Sequence, residues 1–181
     1  MREVLAARGI GPDFAFASPQ PDAFYDYIHR RADGAEIYFV VNRWARRDVH
    51  DTQYRLRAGL PDRYEEMEAS FRVTGRVPEL WDPATGVIED CPVWREEAGR
   101  TIVPLRLDPE GSVFVVFRRA PTGPHIVSVA RDGRTLIPSS DPAPGAWPVA
   151  RVGGTGGKPW LEAWEAGAYE VRWSEGRTTD V

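Results

Sequence analysis

The stretch FRVTGRVPELWDPATG, Phe71 to Gly86, continued by RTIVPLRLDPEGSVFVVFRR, Arg100 to Arg119, decides how this chain folds. Met67, Ala69, Phe71 and Val73 alternate with Glu68, Ser70 and Arg72. That period of two belongs to a strand with one buried and one wet face. Asp82-Pro83-Ala84-Thr85-Gly86 then supplies turn chemistry: proline presets φ, aspartate can accept from the backbone two residues on, and glycine tolerates a left-handed conformation. The chain is expected to reverse there. Val103, Leu105 and Leu107 alternate next, and Asp108-Pro109-Glu110-Gly111 repeats the turn signal. Val113 to Phe117 is apolar on both faces and reads as the central, doubly covered strand.

Working outward, Phe24 to Arg30 and Glu36 to Asn42 flank Ala32-Asp33-Gly34, and the Asp-Gly pair predicts a hairpin. Ile37, Phe39 and Val41 share one face of its second strand, and Tyr38, Val40 and Asn42 the other. We assign Ile37, Phe39 and Val41 to the core, with Phe71, Val73, Leu105, Val113, Val115 and Phe117. The region between Arg43 and Glu66 is charged and lacks alternation. So long a connection is either a functional loop or a cover over a sheet edge, and we favour the cover, anchored by Trp44 and Tyr54. Arg2 to Ala7 is compatible with a short helix, ended by Gly9 and Gly11-Pro12.

After Phe117 the texture changes. Ala120 to Pro124 is a linker candidate, Ile126 to Ala130 and Thr135 to Ile137 flank Asp132-Gly133 as another hairpin, and Tyr169, Val171 and Trp173 mark a last strand. Pro138 to Pro148 and Gly153 to Pro159 are rich in Pro, Gly and Ser and read as loops. The expected fold is all-β: an antiparallel β-sandwich over residues 22–119, a small C-terminal β subdomain or tail over 120–181, and a short N-terminal helical segment in a stretch over 1–21 that is a remnant of a preceding domain or a linker and either packs loosely or wraps along the sandwich. Sixteen prolines, seventeen glycines and seven tryptophans in 181 residues agree with a turn-rich β protein.

Four blocks carry a family resemblance: YIHRRADGAEIYFVVN (Tyr27 to Asn42), the two stretches quoted at the outset, and, more loosely, EAGAYEVRWSEGRTT (Glu165 to Thr179). In this order they resemble the segment of proteins related to glycoside hydrolase family 106, the α-L-rhamnosidases, that lies between the catalytic barrel and a C-terminal galactose-binding-like domain. The resemblance implies a non-catalytic accessory β-sandwich that supports the barrel and positions its neighbours. The family's catalytic carboxylates belong to the barrel, upstream of anything matched here. The alternative is a free-standing carbohydrate-binding module that uses exposed tryptophans.

The residues themselves point to no catalytic group. Glycoside hydrolysis needs two carboxyls about 5–10 Å apart, one with a raised pKa. The acidic pairs Glu65-Glu66, Glu89-Asp90 and Glu96-Glu97 are sequence neighbours, which a strand sends to opposite faces and a loop leaves in water. His29, His50, Cys91 and His125 lack the spacing of a zinc site, so no metal is expected. No Gly-x-Ser-x-Gly elbow, GxGxxG or P-loop occurs, and no cofactor is expected. A net charge of −4 with interspersed signs argues neither for nucleic acid nor for an anionic membrane. Residues 1–9 contain no apolar run long enough for a signal-peptide core, so the chain as written is expected to be cytoplasmic; in a longer polypeptide, an export signal would sit elsewhere.

The contact candidates are few. His29, Arg30 and Arg31 open the first hairpin, with His29 and Arg31 on the face opposite Arg30. Their directional donors could reach a sugar hydroxyl or an adjoining domain. Asn42, at the other end of that hairpin, is grouped with them. Trp160 and Trp164 are the candidates for sugar stacking, the other tryptophans reading as packing. The expected partners are the catalytic barrel of a glycoside hydrolase or a second copy of the chain, together with a rhamnose-containing carbohydrate. The docking surface is expected from Val4, Leu5, Phe14, Phe16 and Phe24, rimmed by Arg2, Glu3, Arg30 and Arg31.

Overall fold

The computed structural model describes residues 7–9, 11–18, 20, 23–43, 65–138, 149–155 and 158–181. The helical segment expected over Arg2 to Ala7 therefore lies outside the described residues except for Ala7, which is helical. The cover expected from Trp44 and Tyr54 lies wholly outside them, as do Val4 and Leu5.

Among the described residues, fifteen strands run in chain order: β1 Phe14–Ala17, β2 Tyr25–Ala32, β3 Ala35–Asn42, β4 Glu65–Phe71, β5 Val77–Trp81, β6 Ile88–Asp90, β7 Arg95–Glu97, β8 Arg100–Leu107, β9 Ser112–Arg119, β10 Ile126–Arg131, β11 Arg134–Ile137, β12 Ala150–Thr155, β13 Lys158–Ala163, β14 Tyr169–Trp173 and β15 Thr178–Asp180. The first sheet has the order β1-β4-β8-β7 and the second β2-β3-β9-β5-β6, every neighbouring pair antiparallel. β9 sits at the centre of the second sheet, as its two apolar faces predict. Asp33 and Gly34 both take positive φ, 49° and 76°, which is what a two-residue turn matching strand twist requires. That turn sets the β2/β3 register from Ala32 opposite Ala35 back to Tyr25 opposite Asn42.

Two turns of similar composition have different outcomes. At Asp82 to Gly86 the chain reverses into the β5/β6 hairpin; Ala84 N donates to Asp82 Oδ1 at 2.7 Å and Gly86 N to Asp82 O at 2.8 Å. At Asp108 to Gly111 it instead passes from β8 in the first sheet to β9 in the second. Gly111 is required there, because a Cβ would stand 2.9 Å from Asp108 O.

The two sheets close over one core. Met67, Ala69, Phe71, Val103, Leu105 and Leu107 from the first meet Tyr38, Val40, Val113, Val115 and Phe117 from the second. Phe71 has no exposed surface, and its ring centroid lies 4.9 Å from Tyr38, 5.4 Å from Phe117 and 5.3 Å from Phe14. One face assignment is corrected. Ile37, Phe39 and Val41 are half-buried on the outside of β3, and Tyr38, Val40 and Asn42 point inward. Their outer face is still apolar: Ile28, Phe39, Phe114, Trp81 and Ile88 fall opposite one another across all five strands. Glu65, expected in solvent, is also buried, because it shares the inward parity of Met67 and Ala69.

Pro12, Asp13 and Phe14 are tied to the first sheet. Arg100 reaches Pro12 O at 3.0 Å and Ser70 O at 2.8 Å, Arg72 N donates to Asp13 O, and Phe14 is buried in the core.

A second cluster joins Val93 with Ile126, Val129, Tyr169, Val171, Ala150 and Val152. It lies on the sheet β11-β10-β14-β15 and the hairpin β12-β13. Asp132 and Gly133 turn β10 into β11 with the same pair of positive φ values as the first hairpin. Residues 91–94 form the seam, since Cys91 and Trp94 belong to the first cluster and Val93 to the second. Trp94 N donates to Ile126 O at 3.1 Å, and its indole stacks on His125 at 3.5 Å. Burial pushes the Cys91 thiol up to about 12, so it is an inert packing group. Within Gly153 to Pro159, expected as a loop, the described residues are instead paired in β12 and β13, with Gly153 opposite Trp160 and Gly154 opposite Pro159.

Glu79, opposite Val116 on the second sheet's outer face, has a carboxylate side chain only 1% exposed. Arg119 Nε donates to it at 2.6 Å, Arg118 Nε at 3.0 Å and Trp81 Nε1 at 3.1 Å. Burial alone would raise its pKa, but the hydrogen bonds from Arg118, Arg119 and Trp81 outweigh it and hold the carboxyl below its ordinary value. A depressed folded pKa contributes stability that is present above the unfolded value, about 4.3, and lost as pH falls through the folded one.

Two outcomes are expected in denaturant titrations. Phe71→Ala loses about 3–5 kcal/mol, the cost of removing a buried aromatic ring from between two sheets; a loss below about 1 kcal/mol contradicts the packing. Glu79→Gln is less stable at neutral pH by about 1–3 kcal/mol, and its stability falls less between pH 4 and 2 than the parent's. Parallel pH profiles contradict the ion-pair reading.

Candidate functional site

Hairpin register alone brings His29, Arg31 and Glu36 together. The Asp33-Gly34 turn sets Arg31 opposite Glu36 and His29 opposite Tyr38, so Glu36 lies within reach of both basic side chains. Glu36 Oε2 lies 2.6 Å from His29 Nε2, and Arg31 Nε donates to the same carboxylate at 2.9 Å. The other ring nitrogen, Nδ1, lies 3.2 Å from Asp13 Oδ2, and Arg72 pairs with the remaining Asp13 oxygen. The imidazole is stacked on Tyr38 at 4.1 Å with the rings 3° from parallel. Asp13, His29, Arg30, Arg31 and Arg72 line an open cleft of about 360 Å³.

The electrostatics follow from this clamp. Burial tends to raise the Asp13 carboxyl, but the His29 hydrogen bond and the Arg72 charge more than offset it, leaving its pKa lowered. Glu36 behaves likewise, with Arg31 and then His29 as the lowering partners. Burial pushes the Tyr38 hydroxyl up to about 12, and the charges of Asp13 and Glu36 add to the effect. Both carboxylates are thus held ionised. A glycosidase acid needs the opposite, a carboxyl kept protonated by a raised pKa. His29 cannot serve as a free base in this arrangement, since each ring nitrogen already faces a carboxylate. The cluster is a staple: Asp13 precedes β1 in the first sheet, while His29 and Glu36 belong to the second, so the contact between His29 and Asp13 ties the sheets together at their edge.

The sequence candidates separate into three groups. His29 and Arg31 meet in the clamp; Arg30 makes no contact with its carboxylates but is exposed beside it, lines the same cleft and donates to the His29 carbonyl at 3.2 Å. Asn42 is buried, and its Nδ2 donates to Asp108 O at 2.8 Å, holding β3 against the turn between the two sheets. Trp160 and Trp164 are exposed on the β12/β13 hairpin, apart from the other candidates in sequence and sheet. Sequence reasoning missed Asp13, Glu36 and Arg72. Glu36 was accessible from the turn register; Asp13 and Arg72 arrive through the pairing of other strands and left no local signal. Among the described residues no group of three or more His, Cys, Asp or Glu could hold a metal ion.

Exposed apolar side chains concentrate beside the clamp. Phe16 is 40% exposed, Phe24 58%, Tyr27 39% and Ile28 53%. All four lie on or beside β1 and β2, the edge strands of the two sheets. Phe14, expected among them, is instead a core residue whose ring lies 4.8 Å from Tyr27.

Relatives agree with this architecture. A rhamnosidase from Novosphingobium sp. PP1Y has a solved structure that superposes with a TM-score of 0.53 at 33% identity, over 71% of this chain and 11% of that one. A putative beta-glucuronidase of Formosa agariphila is 37% identical over 95 residues, 52% of this chain and 7% of that protein. The chain therefore spans only a small part of the length of either relative. Residues 1–94, from the N-terminal segment through the β5/β6 hairpin to the seam at Trp94, match glycoside hydrolase family 106, alpha-L-rhamnosidase, and the chain belongs to that family.

Proposed function

We propose that this chain is a non-catalytic accessory β-sandwich of an α-L-rhamnosidase-like glycoside hydrolase, buttressing the catalytic barrel and setting the position of neighbouring domains. The observation that carries the reading is the set of exposed apolar side chains along the two edge strands: Phe16 and Tyr27 where β1 meets β2, Phe24 just before β2, and Ile28 on the outer face of the second sheet. Burying one such side chain stabilises by about 1.5–3 kcal/mol, so four together favour contact with another surface. Arg30, Arg31 and Arg72 line the cleft over the clamp and supply charged groups that can give a contact along β2 its orientation. The state of the carboxylates supports the same reading. Asp13, Glu36 and Glu79 are committed to arginine or histidine partners and held below their usual pKa, which suits structural ion pairs.

Two measurements test this. The purified chain is expected not to turn over aryl α-L-rhamnosides. Turnover that survives repurification and disappears on changing one acidic residue contradicts the proposal. Light scattering is expected to show concentration-dependent association of the isolated chain, reduced when Phe16 and Phe24 are both changed to Ser. Phe14 is left unchanged because it is part of the core. A strictly monomeric parent that also fails to bind a family 106 barrel removes the docking surface.

A further inference from the structure

We propose that the outward face of the β12/β13 hairpin is a binding platform for a neutral oligosaccharide, with Trp160 and Trp164 as stacking surfaces and Arg151 and Glu162 as the polar groups between them. Strand alternation decides which side chains share this face. Val152 is buried in the second cluster and Leu161 packs against it, so that side of the hairpin points inward. Arg151, Gly153, Trp160 and Glu162 point the other way, with Arg151 opposite Glu162 and Gly153 opposite Trp160. Trp164 continues the ladder just past β13, its N–H donating to Val149 O at 2.9 Å. Four residues at strand rise put the two Cα atoms about 13 Å apart. That separation suits two sugar rings of one chain rather than a single monosaccharide.

Both indoles are open to solvent, Trp160 at 42% and Trp164 at 54%, whereas Trp81, Trp94 and Trp173 are buried or half-buried. A tryptophan carries a large apolar area, and leaving two uncovered on one narrow hairpin forgoes burial that Trp81, Trp94 and Trp173 obtain. The orientation of the first ring is built in. A Cβ on Gly153 would lie 2.1 Å from Trp160 Cζ2, so the missing side chain is what lets the indole lie flat across the neighbouring strand. The Arg151 guanidinium lies over the same ring, 5.0 Å from its centroid, so a sugar stacking on this indole takes the place of that cation–π contact and frees the guanidinium for its hydroxyls. A ring held in place before binding loses little entropy on contact.

The polar groups select the chemical class. Arg151 and Glu162 approach to 3.7 Å with both side chains more than half-exposed or at half exposure, so the pair sums to zero charge and its donors and acceptors remain available to hydroxyls. An anionic polymer would meet Glu162 directly beside Arg151. A pyranose offers what the face lacks, a C–H surface for each indole and hydroxyls for the pair between them. This platform shares no residue with the apolar edge of β1 and β2, and its test is independent of the docking proposal.

The experiment is isothermal titration of the full chain with short neutral oligosaccharides, one series containing L-rhamnose and one built of glucose alone. Saturable binding in at least one series is expected, longer members binding more tightly than the monosaccharide. Trp160→Ala and Trp164→Ala are each expected to weaken it roughly tenfold, equal to about 1.4 kcal/mol, while Trp160→Phe retains most of it and Phe16→Ser leaves it unchanged. Circular dichroism and the unfolding midpoint keep loss of fold apart from loss of binding. No saturable heat in either series, or binding that survives both alanine variants in folded protein, overturns the proposal.

Discussion

The ring of Phe71 touches Phe14 on its own sheet and Tyr38 and Phe117 on the other, and the rest of the sandwich is arranged so that these contacts can form. Strand pairing alone would leave two independent sheets. What joins them is apolar area removed from water, with aromatic rings meeting edge to face or tilted rather than stacked, which suits their quadrupoles. Tyr38 extends the same column toward solvent: His29 stacks on it, and the clamp of Asp13 and Glu36 closes over the top. The candidate site is therefore the polar end of the hydrophobic core.

This continuity explains why charge and burial coexist at the sheet edge. A carboxylate in a half-buried position costs desolvation free energy, and each one here has a cation or imidazole within hydrogen-bond distance to offset it. The same logic recurs at Glu79, where two half-exposed arginines reach inward to a carboxylate with almost no surface of its own. In both places the charged groups are spent on one another. That leaves the apolar edge strands as the feature through which the proposed accessory role would operate.

Local chemistry was legible wherever a short stretch carries its own geometry. Asp33-Gly34 and Asp132-Gly133 predicted hairpins that formed, and the alternation through Phe71 and Leu105 predicted their inward faces. The face of β3 was not legible, because Ile37 to Val41 is apolar at every position and no wet face breaks the symmetry; the opposing sheet makes the choice. Gly153 to Pro159 misled for a related reason. Its glycines read as flexibility, whereas one of them provides room for an indole on the neighbouring strand. For the site, His29 and Arg31 could be singled out from one hairpin, but the partners that define their chemistry come from beside β1 and from the end of β4.

The most direct test of the account compares hydrogen exchange in the isolated chain with exchange in the same chain joined to a family 106 catalytic barrel. Added protection is predicted at Phe14–Ala17 and Tyr25–Ala32, while β4, β8 and β9 are already slow in both. Unchanged exchange along β1 and β2 in the joined protein would contradict the claim that this edge is where the sandwich meets its partner.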